Sequence, residues 1–205
     1  CVAYGEKLAK AHGFEDLNAV VRSGRKLEAG ARVYANWMGK SFMLFVLGEK
    51  PLEEGMNILG AHIDSPRIDV KQNPLYEDTD LAYLDTHYYG GIKKYQWVAI
   101  PLALHGVIVR KTGEKVIINI GEDENDPVFC ISDLLVHLAQ EQMTKNAKEV
   151  VEGEALNLIV GGRPLEGEEK DAVKANVLKL LADKYGVEEE DFLSAELEIV
   201  PAGKA

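Results

Sequence analysis

Two short apolar runs near the start of the chain require a sheet in which to be buried. Phe42–Leu47 is continuously apolar and is followed by Gly48, and Met56–Ala61 is a second, mostly apolar run. Runs of this length, bounded by turn residues, predict buried strands. The loop between them is short and contains Pro51, which favours a hairpin connection. This part of the chain therefore predicts two paired strands of a sheet.

Further patterns predict a mixture of strands and helices along the rest of the chain. One helical face is shared by Val173, Val177, Leu180 and Leu181, which predicts an amphipathic helix over residues 168–185 that Gly186 ends. The other predicted helices span residues 4–12 and 132–143, and the other predicted strands span residues 101–110, 115–120, 156–160 and 196–200. Two organisations fit: a single α+β domain, or an α/β domain interrupted after about residue 71 to which the chain returns near residue 196.

Composition limits the function classes that the chain can belong to. Its 205 residues suffice for one large domain or two small ones, and 46% are hydrophobic and 28% charged, as in ordinary globular proteins. The net charge of -11 opposes binding to nucleic acid. No apolar stretch is long enough to span a membrane. The two cysteines, Cys1 and Cys130, suit a reducing, cytoplasmic compartment without a disulfide framework.

The segment Ile58-Leu-Gly-Ala-His-Ile-Asp-Ser-Pro66 is the most informative for chemistry. A predicted strand ends in His62 and Asp64, which lie two residues apart and therefore on the same side of an extended chain. His62 can offer a ring nitrogen to a metal, and Asp64 can accept a hydrogen bond from the other nitrogen of a ligand and orient it. Because His-x-Asp is a common pattern, a purely structural histidine remains open on these residues alone.

Three longer segments carry a resemblance to a known family. Asn57-Ile-Leu-Gly-Ala-His-Ile-Asp-Ser-Pro-Arg-Ile-Asp-Val-Lys71, Gln72-Asn-Pro-Leu-Tyr-Glu77 and His87-Tyr-Tyr-Gly-Gly-Ile-Lys-Lys-Tyr-Gln-Trp97 resemble M18 zinc aminopeptidases, the aminopeptidase I and aspartyl aminopeptidase-like family. The resemblance implies two zinc ions per complete active site, with Co or Mn as other divalent metals that could serve. It implies that His62 binds one metal and that Asp64 orients the site. The remaining ligands and the catalytic Glu are expected outside this chain.

The same resemblance implies a division of the chain into domains. Residues 1–71 would be the first part of a zinc-peptidase α/β domain, residues 72–196 an inserted, mostly-β, barrel-like assembly domain with helices, and residues 197–205 a return strand. The inserted domain would build homo-oligomers, from a dimer up to a dodecamer. His137, on the helix expected from Ser132, would reach a neighbouring subunit's active site. The alternative is a histidine beside the packed stripe of Leu134 and Leu138.

The expected function is hydrolysis of N-terminal residues from peptides, with part of the site in this chain. The chain lacks an initiator Met and opens inside a predicted helix, which predicts an internal fragment that is inactive alone. Trp97-Val-Ala-Ile-Pro101 stands where many family members carry an acidic residue and a Trp-Phe pair, so the preferred substrate residue stays open. If the 205 residues are the complete protein, the alternative is a non-catalytic assembly domain.

Overall fold

A computed structural model describes residues 1–203. By their contacts these residues form two compact units, of which the first is Cys1–Asp64 and the second begins at Ser65. Each unit contains helix and β-sheet, which confirms the predicted mixed α/β class at that coarse level. None of the helices within residues 1–203 is long and apolar enough to cross a membrane.

The first unit pairs a small sheet with two short helices. Its elements are α1 (Val2–Ala11), β1 (Glu15–Asp16), α2 (Leu17–Ser23), β2 (Arg32–Trp37) and β3 (Ser41–Val46). Strand β2 is central, parallel to β1 and antiparallel to β3. The helix predicted for residues 4–12 is thereby confirmed as α1, with ends that differ by one or two residues.

Strand β3 confirms that a strand forms at Phe42–Leu47, but the prediction that it is buried is wrong. The ring of Phe42 packs against that of Tyr34, with the ring centroids 5.7 Å apart. Leu44 and Phe45 point to opposite faces of the strand, and they are 51% and 42% exposed. The first unit therefore leaves much of an apolar strand uncovered on both faces.

The strand predicted at Met56–Ala61 does not form. Residues 55–66 carry no regular secondary structure, and Leu59 is 99% exposed. A strand needs a neighbouring strand for its backbone N–H and C=O groups. No strand within residues 1–203 pairs with this segment, so the predicted hairpin with β3 is wrong for the described residues.

The second unit is built on an antiparallel sheet of six strands. Its elements are β4 (Arg67–Asp78), β5 (Leu81–Tyr89), β6 (Leu102–Val109), β7 (Lys115–Ile120), β8 (Leu158–Gly161), α3 (Ala172–Tyr185) and β9 (Ala195–Pro201). The strand order is β7-β6-β9-β4-β5-β8. Ile68, Leu102, Leu158 and Ile199, from four of these strands, are fully buried in its core.

Several local predictions in the second unit are confirmed. Strands β6 and β7 form the predicted hairpin, and β8 and β9 lie where short strands were predicted. Helix α3 confirms the amphipathic helix, although it begins at Ala172. Gly186 ends α3 in the left-handed conformation with φ of 61°, which glycine adopts without steric cost.

The helix predicted from Ser132 to Met143 is wrong. The chain makes turns around residues 136–138 and then only a 3-10 helix, Gln142–Thr144. Asp133 Oδ1 accepts hydrogen bonds from the backbone N–H of Leu134 and from Nε2 of Gln142, contacts that favour a turn over a helix. The expected apolar stripe is not packed either, because Leu134 and Leu138 are both exposed.

The contact boundary between the two units differs from the predicted domain boundaries. The contacts divide the chain between Asp64 and Ser65, whereas the first predicted domain ends at residue 71. Strand β9, which overlaps the predicted return strand 197–205, pairs with β4 and β6 inside the sheet of the second unit. Its membership of a catalytic domain stays a prediction, and residues 204 and 205 lie outside the described residues.

Candidate metal-binding residues

His62 and Asp64 are in direct contact in the segment that follows Met56–Ala61. Nδ1 of His62 lies 3.1 Å from Oδ1 of Asp64, and the two side chains are 85% and 49% exposed. With the proton on Nδ1, the ring donates to the carboxylate and keeps a lone pair on Nε2. This is the arrangement that metal-binding histidines commonly use, because the carboxylate fixes the tautomer and the ring orientation.

The residues present fit one ligand of a zinc site and not a whole site. An imidazole nitrogen is a suitable zinc donor, and Asp64 supplies the expected orienting carboxylate. A catalytic zinc takes three protein ligands. Within residues 1–203, no three His, Cys, Asp or Glu side chains come close enough together to hold a metal ion. Within the described residues, His62 with its neighbouring carboxylate is therefore not part of a group of three donors.

His137 lies on an exposed loop of the second unit instead of on a helix. Its neighbours Leu135, Val136 and Leu138 are 71%, 66% and 70% exposed, and His137 itself is exposed. The alternative of a histidine beside a packed leucine stripe is therefore not what the structure shows. An exposed histidine among exposed apolar side chains is suited to contact another surface, and its catalytic role stays a prediction.

Two other histidines have roles within the second unit. The ring of His87 on β5 stacks on Tyr88, with the ring centroids 5.5 Å apart. Nε2 of His105 on β6 lies 2.9 Å from Oε1 of Glu122. Both contacts join residues of the same sheet or its connections, so they account for these histidines without a metal.

A cluster around Arg67 is a feature that the sequence patterns did not single out. Nε of Arg67 lies 2.7 Å from Oδ1 of Asp69 and 3.1 Å from Oε1 of Glu198, and its guanidinium lies 4.2 Å from the ring centre of Tyr89. Burial acts to lower the pKa of Arg67, but the hydrogen bond to Asp69 and the charge of Glu198 outweigh it and raise that pKa. The cluster ties β4 to β9 and β5. The spacing of residues 67 and 69 on one strand face was the available signal.

The sequence and the fold were compared with those of known proteins. Residues 1–205 match the family described as aminopeptidase I zinc metalloprotease (M18). A relative named probable M18 family aminopeptidase 1, from Clostridium acetobutylicum, is 59% identical over 206 residues, which is 100% of this chain and 44% of that protein. The chain thus spans less than half the length of this relative.

Solved structures show the same fold. The crystal structure of an M18-family aminopeptidase from Thermotoga maritima matches with a TM-score of 0.87 and 46% identity, over 98% of this chain and 43% of that one. The structure of the S. cerevisiae mApe1 dodecamer matches with a TM-score of 0.59 and 18% identity, over 98% of this chain and 44% of that one. At 18% identity the second match shows the fold alone.

Proposed function

Because the chain belongs to the M18 family of aminopeptidase I zinc metalloproteases, we propose that it is part of an aminopeptidase that removes N-terminal residues from peptides. The site would hold two zinc ions, and this chain would supply one part of it. The observation that carries the proposal is the contact between His62 and Asp64 in a segment that lies within the family match. The longer protein is the proposed chain of the same length as the M18 relatives, which contains these 205 residues.

The two residues would divide the work at the metal. His62 would bind zinc through Nε2, and Asp64 would hold the ring through Nδ1, as their 3.1 Å contact allows. Bound zinc polarises a carbonyl and makes a bound water acidic enough to supply hydroxide near neutral pH. A Glu outside this chain would act as the general base. The residues present therefore position the metal, while the proton transfer is left to the rest of the longer protein.

The uncovered apolar surface of the first unit supports a site completed by more chain. Ile58 and Leu59 are 80% and 99% exposed, and strand β3 is half exposed on both faces. Burial of apolar surface is favourable by about 25 cal/mol per Å², so an apolar surface of this kind needs a cover. We place that cover in the part of the longer protein that the relatives have and this chain lacks. Residues 56–61 would then become a strand that presents His62 at its end.

The second unit would serve assembly. We propose that residues 72–196 of this unit are the inserted domain, since β5 to β8 lie within these bounds and belong to one continuous sheet. It would build a homodimer and then a larger homo-oligomer, as the structure of the mApe1 dodecamer illustrates for that protein. The exposed loop with Leu135, Val136 and Leu138 would contact a second copy and carry His137 to that copy's active site.

With Cys1 and Cys130 both free, a reducing, cytoplasmic location fits.

Peptidase activity of the longer protein with matched histidine variants tests the proposal. His62→Ala should abolish hydrolysis of an aminoacyl p-nitroanilide and lower the zinc content. His87→Ala should leave both unchanged, because His87 is also exposed but stacks on Tyr88. Full activity and full zinc content in His62→Ala would overturn the assignment of the metal ligand.

The second candidate function is a non-catalytic assembly domain. It is favoured by the absence, within residues 1–203, of a three-donor metal site. The intact mass of the protein isolated from its source decides between the two. A mass equal to that of 205 residues would favour the assembly domain, and a mass near that of the M18 relatives would favour the peptidase.

A further inference from the structure

A cavity of about 500 Å³ lies in the second unit, between the six-stranded sheet and α3. Strands β6 and β7 contribute Leu104 and Ile118 to its wall, and α3 contributes Val177 and Leu181. Phe192 lines it from the segment that follows α3. The cavity is lined by elements of one unit and is partly open to solvent, since Leu180 in its lining is 60% exposed. None of the residues assigned to metal binding lines it.

The inner wall of the cavity is formed by core side chains. Leu104, Ile118 and Phe192 are 5%, 2% and 3% exposed, so they belong to the core of the unit. Small-molecule pockets have volumes of roughly 300–1,000 Å³ and are lined mostly by apolar side chains. The size and lining of this cavity are thus those of a ligand site.

The charges at the cavity are already compensated or turned to solvent. Asp183 and Lys184, at the end of α3, are its charged lining residues, and both are exposed. Nζ of Lys184 lies 3.6 Å from Oδ1 of Asp126 and 5.2 Å from the ring centre of Tyr185. A ligand that carried a charge into the aliphatic part would lose its hydration without gaining a partner.

We propose that this cavity binds an uncharged, hydrocarbon-like small molecule. An apolar guest would remove the apolar lining of the cavity from water, which is favourable, and a neutral guest matches a lining without unpaired charge. The guest would fill the space beneath α3 and so hold the helix on the sheet. Binding to the folded state alone would then raise the unfolding temperature of the chain.

A pair of eight-carbon probes tests both the site and its preference for a neutral ligand. Methyl-labelled 205-residue chain is titrated with 1-octanol and, separately, with octanoate. We expect saturable shifts of the Leu104 and Ile118 methyl signals with octanol, and binding of octanoate weaker by about tenfold or more, which corresponds to about 1.4 kcal/mol. No saturable shift with octanol, or tighter binding of octanoate, would overturn the proposal.

Matched substitutions locate the site. Leu181→Phe adds volume inside the cavity and should weaken octanol binding by about tenfold or more. Leu193→Phe makes the same change at a leucine that is 55% exposed and does not line the cavity, so it should bind octanol as the parent chain does. If Leu181→Phe fails to fold, Val160→Phe tests the same space from β8.

A side chain from a second copy is the competing occupant. In that case octanol would dissociate oligomers in light scattering, and its apparent affinity would fall as the protein concentration rises. That result would overturn the small-molecule site. An octanol affinity that does not depend on protein concentration would support the small-molecule site, provided that Leu181→Phe weakens binding more than Leu193→Phe does.

Discussion

Nδ1 of His62 contacts Oδ1 of Asp64 at 3.1 Å on a segment that no strand of the described chain supports. The pair is therefore preformed by local spacing, while the backbone that carries it is not held by a sheet. A positioned ligand on an unsupported segment suits a site that other parts of a longer protein complete.

In the longer protein, we expect Asp64→Asn to lower peptidase turnover by about 10–100-fold, the usual cost of removing a carboxylate that orients a metal ligand. The unfolding midpoint should stay unchanged, because the Asp64 side chain is half exposed. Steady-state kinetics and urea unfolding measure the two effects. Asp123→Asn removes the same charge from an exposed loop and should change neither. A large loss of stability with normal turnover would contradict the role of Asp64.

The purified 205-residue chain should contain well under one zinc per chain. His62 offers one nitrogen donor, whereas a catalytic zinc takes three protein ligands, and the described residues provide no such group. Atomic absorption after dialysis against trace zinc gives the stoichiometry, with the longer protein as the positive control. One tightly bound zinc per chain together with peptidase activity would show that the site is complete.

Mixed oligomers of the longer protein should test the reach of His137. We expect His62→Ala and His137→Ala subunits, each inactive alone, to regain part of the activity when mixed, because the intact residues can then combine across an interface. Activity is measured after subunit exchange that mass spectrometry has verified. If subunit exchange is verified but the mixture stays inactive, His137 has no role in the active site of the neighbouring subunit.

Thr86→Val should destabilise the second unit by about 1–3 kcal/mol, the cost of leaving a buried polar group without its partner. Thr86 is 1% exposed, and its hydroxyl donates to the carbonyl oxygen of the fully buried Leu156 at 2.5 Å. Urea unfolding of the 205-residue chain gives the change. The same substitution at exposed Thr112 should cost far less, so equal losses at both positions would refute the buried hydrogen bond as the cause.

Because of Asp126, the stability of the second unit should decrease as the pH falls in the acid range. Its pKa is lowered chiefly by the hydrogen bond from the backbone N–H of Gly121, against an opposing effect of burial, with a further contribution from Lys184. Since the folded pKa lies below the unfolded one, the stabilisation is present above about pH 4 and is lost as the pH falls through the folded pKa. The unfolding free energy of Asp126→Asn, measured from pH 2 to pH 7, should fall less steeply at the acid end. An identical slope would exclude Asp126 as a source.

Local patterns predicted elements whose stabilising contacts lie close along the chain. Helix α3 has its apolar face at helical spacing and a glycine at its end, and the β6–β7 hairpin has two apolar runs around a short turn. Strand β4 was missed because it is long and polar in places, with an irregularity between Val70 and Leu75 and a positive φ at Asn73. Its pairing with β5 and β9 overrides that weak local pattern.

In the candidate site, too, the features that depend on residues close in sequence were predictable, and those that depend on tertiary contacts were not. The two-residue spacing of His62 and Asp64 was enough to predict that both side chains lie on one side, and their contact agrees. The helix expected around His137 required a packed apolar face, and the exposed Leu134 and Leu138 show that the described chain offers none. In the cluster around Arg67, local spacing could indicate only the contact with Asp69, because Glu198 comes from a strand that is far away in the sequence.

The sequence by itself determined the family, the α3 helix, the short hairpin and the His62–Asp64 pair, because each depends on residues that are neighbours along the chain. Only the tertiary structure decided that β9 inserts between β4 and β6 and that residues 56–61 stay unpaired. Strand pairing joins backbone groups that are far apart in sequence. An apolar run therefore becomes a strand only where the fold supplies its partner.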